Sequence, residues 1–181
     1  MYMFRCTISL LLSMFAIYSM ASVSIKYDDT HILYGDDDTH LYYLLNIETK
    51  EAKLGKGNSD NNNAIYYPPM DDDWWTDQPN LWGDLVIPST INYNGEIYTV
   101  NEVASKAFYK FTNVRSIKLP DTIKEIGSSA FGFCTYLKEI FIPDGVANIG
   151  SQAFNGCSSL CNIIIPDSVA YIQDKAFYGC I

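Results

Sequence analysis

Along the second half of the chain the apolar positions recur at a fixed interval of 23 residues. The pairs Ala107-Phe108, Ala130-Phe131, Ala153-Phe154 and Ala176-Phe177 keep that spacing, as do Pro120, Pro143 and Pro166. So do Val100, Ile123, Val146 and Val169; Val103, Ile126, Ile149 and Ile172; Val114, Leu137 and Leu160; Ile117, Ile140 and Ile163; and Leu119, Ile142 and Ile165. Within one unit, Ile140 and Ile142 stand two apart and share one face of a short strand, with Glu139 and Phe141 on the other. Pro143 has no N–H to donate and stops that strand. The stretch that follows, with Val146, Ile149, Ala153 and Phe154 punctuated by glycines, predicts turns and a very short helical piece that returns the chain. One such unit cannot bury its own apolar side. Stacking the units in parallel register, about 4.8 Å apart, buries each ladder of like residues against the next and yields a solenoid with a column of Ile, Val, Ala and Phe as its core.

Upstream the pattern changes. Leu85 to Val100 reads as an opening unit with nine extra residues between Pro88 and Val100, in which Asn94-Gly95, flanked by Ile91, Tyr93 and Ile97, predicts a two-residue hairpin turn. A hairpin there is expected to cover the open end of the first coil. Thr39–Ile47 and Glu51–Leu54 predict a second hairpin joined at residues 48–50, placed ahead of the solenoid where terminal repeats need a cap. At the N-terminus, Arg5 precedes the apolar run Ile8–Met20, and Ser19-Met20-Ala21 fits a signal-peptidase site. A run of about 13 is too short to span a bilayer. Residues 1–21 therefore read as a removable secretory signal, against the alternative of a buried N-terminal strand or helix. No transmembrane helix is expected in the remainder. The chain divides into the signal, an acidic cap region at 22–84 and a solenoid of about four coils at 85–181.

The run I-x-I-P-[DE]-x-V-x-x-I-G-x-x-A-F-x-x-C, present as Ile140 to Cys157 and Ile163 to Cys180, resembles the BspA-like leucine-rich repeats of bacterial and protist surface proteins. The resemblance covers residues 85–181, and the opening unit is similar to that of Bacteroides-type members. Two departures stand out: Gln173 in place of the glycine found as Gly127 and Gly150, and Lys110-Phe111 in place of the Gly-Cys pair found as Gly156-Cys157 and Gly179-Cys180. The resemblance implies a β-rich α/β solenoid, a leucine-rich repeat with a parallel sheet on its concave face. It also implies secretion or surface display, with adhesion to or recognition of host or bacterial surface and extracellular-matrix proteins. The sequence stops at Gly179-Cys180-Ile181, before the next Leu-x-x-Ile-x-Ile strand is due. That end reads as a truncated product or structural fragment, or as a surface for docking a partner, end-to-end self-association included.

Charge is unevenly spread. The chain of 181 residues carries a formal charge of −9. Residues 26–84 hold thirteen acids and four bases, whereas residues 85–181 hold eight acids and seven bases. An acidic cap and a nearly neutral solenoid make poor partners for nucleic acid or an anionic lipid surface, since neither offers the excess of Lys and Arg that neutralises phosphate. The clusters Asp28-Asp29, Asp36–Asp38 and Asp71–Asp73 match no fixed-ligand spacing, and solvated turns account for them better than a Ca²⁺ site. Trp74, Trp75 and Trp82, with Tyr66-Tyr67 nearby, fit either a filler between cap and first coil or a glycan-stacking surface.

Cys6 leaves with the signal. Cys134, Cys157 and Cys180 share one ladder position and read as buried thiols, close enough for inter-coil disulfides to remain an alternative. Cys161 aligns with Arg115 and Lys138 at a solvent position, as an exposed thiol or a partner for one of the three. His31 and His40 stand in no constellation with a nucleophile, and no hydrolase, zinc or phosphate-loop spacing occurs. The expectation is a non-catalytic protein without cofactor or metal. Binding then falls to strand residues that face away from the core. These form two rows, Ser116, Glu139 and Asn162, then Lys118, Phe141 and Ile164, of which the second sets two apolar groups side by side.

Overall fold

The computed structural model describes residues 24–26, 31–35, 41–55 and 83–180. The signal segment, the Asp clusters, His40 and the three tryptophans lie outside the described residues. Among the described residues, thirteen strands form two sheets. The shorter sheet joins β5 (Gly83–Val86), β8 (Val114–Lys118), β10 (Glu139–Phe141) and β12 (Asn162–Ile164), all parallel. Each strand forms where one apolar residue points inward between two that do not. In β10 the buried Ile140 lies between the exposed Glu139 and Phe141, and the next residues bring Pro143 and the end of the strand.

The longer sheet takes the other side of the solenoid. Its parallel part is β7 (Glu96–Val103), β9 (Glu125–Ile126), β11 (Asn148–Ile149) and β13 (Tyr171–Ile172), with β6 (Thr90–Tyr93) folded back antiparallel on β7. Among β8, β10 and β12, and among β7, β9, β11 and β13, the register pairs each residue with the one 23 positions on, as in Ser116↔Glu139↔Asn162 and Glu125↔Asn148↔Tyr171. The longer sheet then continues into β4 (Glu51–Leu54), β3 (Tyr42–Asn46), β2 (His31–Gly35) and β1 (Ser24–Lys26). β3 and β4 are the antiparallel pair expected from the sequence. The strand laid against the first coil's Thr99–Val103 is β4, in parallel, whereas the Asn94-Gly95 hairpin pairs only with residues 96–99. Ala52 and Leu54 on β4 are buried with Val100 and Val103, so the apolar face of that strand decides which one docks.

The third side of each coil is built from turns, and no helix occurs among the described residues, contrary to the expected short helical piece. The reason is a left-handed residue in every unit just before the Ala-Phe pair: Lys106, Ser129, Gln152 and Lys175, with φ between 53° and 59°. A second follows four residues later at Lys110, Phe133, Gly156 and Gly179. A left-handed residue breaks a right-handed helix. It also turns alternate N–H groups toward the neighbouring coil. Lys106, Phe108 and Lys110 donate to the carbonyls of Ser128, Ala130 and Gly132, and the pattern repeats from Ser129, Phe131 and Phe133 to Ser151, Ala153 and Asn155. The turns are thus cross-linked between coils as a sheet is, without strand geometry.

Between the three sides, Phe108, Phe131, Phe154 and Phe177 stack face to face, their centroids 5.1–5.2 Å apart and their planes within 8°. Beside them the cysteine ladder is reduced. Cys134 and Cys157 donate their thiols to the carbonyls of Phe108 and Phe131 at 3.0 Å, and Cys180 donates to Phe154 at 3.2 Å. The neighbouring Cys157 sulfur, then burial, holds the Cys134 thiol well above its ordinary pKa. Cys161 is exposed and also free.

Candidate protein-binding face

Each strand of the shorter sheet turns its apolar ladder residue inward, which leaves the alternate residues on the outer face. The strand register aligns Ser116, Glu139 and Asn162 in one row and Lys118, Phe141 and Ile164 in the next, so the six residues singled out from the sequence share one surface. The register of β5 on β8 adds one member to each row: Asp84 opposite Ser116 and Val86 opposite Lys118. Sequence reasoning missed these two. The signal was present in the nine-residue excess after Pro88, because shifting the 23-residue alignment by nine brings Val86 onto Lys118.

The two rows differ in chemistry. Val86, Phe141 and Ile164 are 70%, 55% and 80% exposed, and Lys118 stands among them. In the polar row, Arg115 reaches from β8 to Asp84 through two guanidinium nitrogens, with Nε to Oδ1 at 2.9 Å. The Ser116 hydroxyl donates to the same carboxylate at 2.7 Å. Arg115, then Ser116, holds the Asp84 carboxyl below its ordinary pKa, and the same pairing raises that of Arg115. A depressed carboxyl contributes its pairing above the unfolded-state pKa and loses it as pH falls through the lowered folded value. An NMR titration of Asp84 is therefore expected to give a midpoint below that of a free aspartate, rising in Arg115→Ala and by less in Ser116→Ala. A midpoint unmoved by Arg115→Ala contradicts this assignment. The pair is solvent-exposed, so its role is to fix side-chain positions on the face rather than to stabilise the fold.

Beyond these rows, Lys138 lies over the Tyr136 ring at 5.5 Å, next to Arg115 along the same edge. Among the described residues no three His, Cys, Asp or Glu side chains converge as a metal-binding group would. No described helix is long and apolar enough to cross a membrane. What the face offers is an apolar strip one residue wide, bordered by fixed polar groups, which suits non-covalent contact with another macromolecule.

A family model described as the BspA type leucine rich repeat region matches residues 89–181 in six copies. Among solved structures, the chain is similar to a leucine-rich repeat protein from Bacteroides ovatus, with 29% identity and a TM-score of 0.60 over 77% of this chain and 32% of that one. It is similar also to a leucine rich cell surface protein from Faecalibacterium prausnitzii, with 28% identity and a TM-score of 0.56 over 90% of this chain and 35% of that one. A leucine rich repeat protein from T. pallidum, at 24% identity and a TM-score of 0.51 over 76% of this chain and 64% of that one, shows the same fold. The chain spans about a third of the length of the first two. A search of curated proteins finds no match.

Proposed function

The chain belongs to the BspA-type leucine-rich repeat family, and from that premise we propose that it is a non-catalytic binding module, secreted or displayed at the cell surface, that docks host or bacterial surface or extracellular-matrix proteins. The observation that carries this reading is the row Val86, Lys118, Phe141 and Ile164. Three large apolar side chains aligned in solvent are a cost to a free surface and a gain to one that is covered. The N-terminal strands serve as the cap of the solenoid, since β4 shields the edge of β7 from open pairing. The family resemblance of the Faecalibacterium cell surface protein supports the location.

A Phe141→Glu substitution tests the face. The side chain is exposed, so the fold tolerates the change, while a charge in the centre of a desolvated strip is expected to weaken binding about 30-fold, the loss of one strong interfacial contact at about 2 kcal/mol. The measurement is binding of the purified chain to immobilised extracellular-matrix proteins and to bacterial cell surfaces. Equal binding by Phe141→Glu and wild type would remove this face from the function.

A further inference from the structure

We propose that the segment received by this face is an amphipathic α-helix of a partner protein, lying across the strands and along the solenoid axis. In it, apolar side chains stand at i, i+7 and i+11, and an acidic side chain at i+3 or i+4. This rests on the reading of the face as protein-binding and specifies its occupant.

The orientation follows from the shape of the strip. β10 and β12 are three residues long and each turns only one apolar side chain outward, Phe141 or Ile164, so along any strand the apolar surface is one residue wide. Across the strands it continues from Val86 through Lys118 and Phe141 to Ile164. A partner that buries the strip has to run in that direction.

The conformation follows from the step between rows. Neighbouring strands stand about 4.8 Å apart, so four positions span about 14 Å. An α-helix repeats a side of its surface every turn, about 5.4 Å, and falls out of step by only about 0.6 Å per strand. An extended segment presents same-side residues every 6.6 Å or so and falls out of step by roughly 2 Å per strand, so its next same-side residue already faces the gap between Lys118 and Phe141. A helix about 10 Å across, centred on the strip, extends about 5 Å toward the polar row, which lies two residues, about 7 Å, away, so its flanking side chains reach that row.

Charge fixes the pattern. Lys118 interrupts the strip between Val86 and Phe141 and makes no ion pair among the described residues. Covered by an apolar side chain its ammonium would be buried unpaired, which is costly, so the residue opposite it has to be acidic. With Val86 facing position i, Lys118 faces i+3 or i+4, Phe141 faces i+7 and Ile164 faces i+11. In the polar row Arg115 is already neutralised by Asp84, which leaves Glu139 to favour a basic residue on that flank of the helix.

The test is a phage-displayed library of alanine-rich helical peptides of about 16 residues, long enough to span the row. Its exposed positions are randomised and it is selected on the full chain. Expected binders carry the apolar spacing with Asp or Glu at i+3 or i+4. Selection on Lys118→Glu is expected to exchange that acid for Lys or Arg, and binders from either selection should lose about 30-fold in affinity when Phe141→Glu is added. Binders that need Phe141 but lack the helical spacing or the acid overturn the helix and leave the binding face standing. Binders indifferent to Phe141→Glu overturn both. No enrichment over the unselected library overturns the helix.

Discussion

Phe131→Ala is expected to cost about 3–5 kcal/mol of folding stability, the range for removing a fully buried phenylalanine. The ring is completely buried and is sandwiched between Phe108 at 5.2 Å and Phe154 at 5.1 Å, both nearly parallel to it. Truncation opens a void that cannot close by local collapse. The backbone on either side is pinned, with Phe131 N–H donating to Ala153 and Phe108 N–H donating to Ala130. A solenoid adds a second consequence, because each coil touches only its neighbours and the loss weakens two interfaces at once. The half-buried Phe177 has a described stacking neighbour on one side only, so Phe177→Ala is expected to cost less than half as much. Urea denaturation followed by circular dichroism measures both. Hydrogen exchange should show lost protection on both sides of position 131. Similar costs for the two variants would mean that the column does not act as a chain of nearest-neighbour contacts.

Much of this architecture was legible because a repeat multiplies its own signal. Val103 alone says little, but Val103, Ile126, Ile149 and Ile172 at one interval define a ladder, and the ladder fixes the register of β7, β9, β11 and β13 without knowledge of any strand boundary. The six candidate face residues followed from the same register. The turn side was not legible for a local reason. The first left-handed position of each unit is held by Lys106, Ser129, Gln152 and Lys175, none of them the glycine or asparagine that would announce such a conformation, and the second is a glycine only at Gly156 and Gly179, so a helix was a fair expectation. What stabilises them is the hydrogen bonding between coils, which exists only once the stack has formed. The docking of β4 on β7 was hidden for a different reason. It joins segments more than 40 residues apart and outside the period, through burial of Ala52 and Leu54 that no spacing rule encodes. Asp84 and Val86 fell between these cases, in register once the nine-residue insertion is subtracted.

Gly127→Val is expected to destabilise the chain by about 3 kcal/mol and Gly127→Ala by about 1–3 kcal/mol, for want of space rather than for backbone conformation. A Cβ on Gly127 would lie 2.5 Å from the Ser105 nitrogen, 2.8 Å from the Ala104 carbonyl carbon and 2.9 Å from the Ser105 Cα. Gly150 meets the next step of the same staircase, 2.6 Å from the Ser128 nitrogen and 2.7 Å from the Gly127 carbonyl carbon. These neighbours are all backbone, so none can swing aside, and the coils have to separate. They are held by Gly127 N–H to Val103 and Gly150 N–H to Ile126, both at 2.8 Å, and by the phenylalanine stack, so separation strains all three sides together. Gln173 fills the same position in the last described coil, where its N–H still reaches Ile149 at 2.9 Å and its side chain lies exposed. A side chain is therefore tolerated where no described coil packs beyond it and excluded between coils held on both sides. Gln173→Gly is accordingly expected to change stability by less than Gly127→Ala does, in the same urea titration. A Gly127→Ala chain as stable as wild type would show that the coils approach each other less closely than the glycine ladder requires.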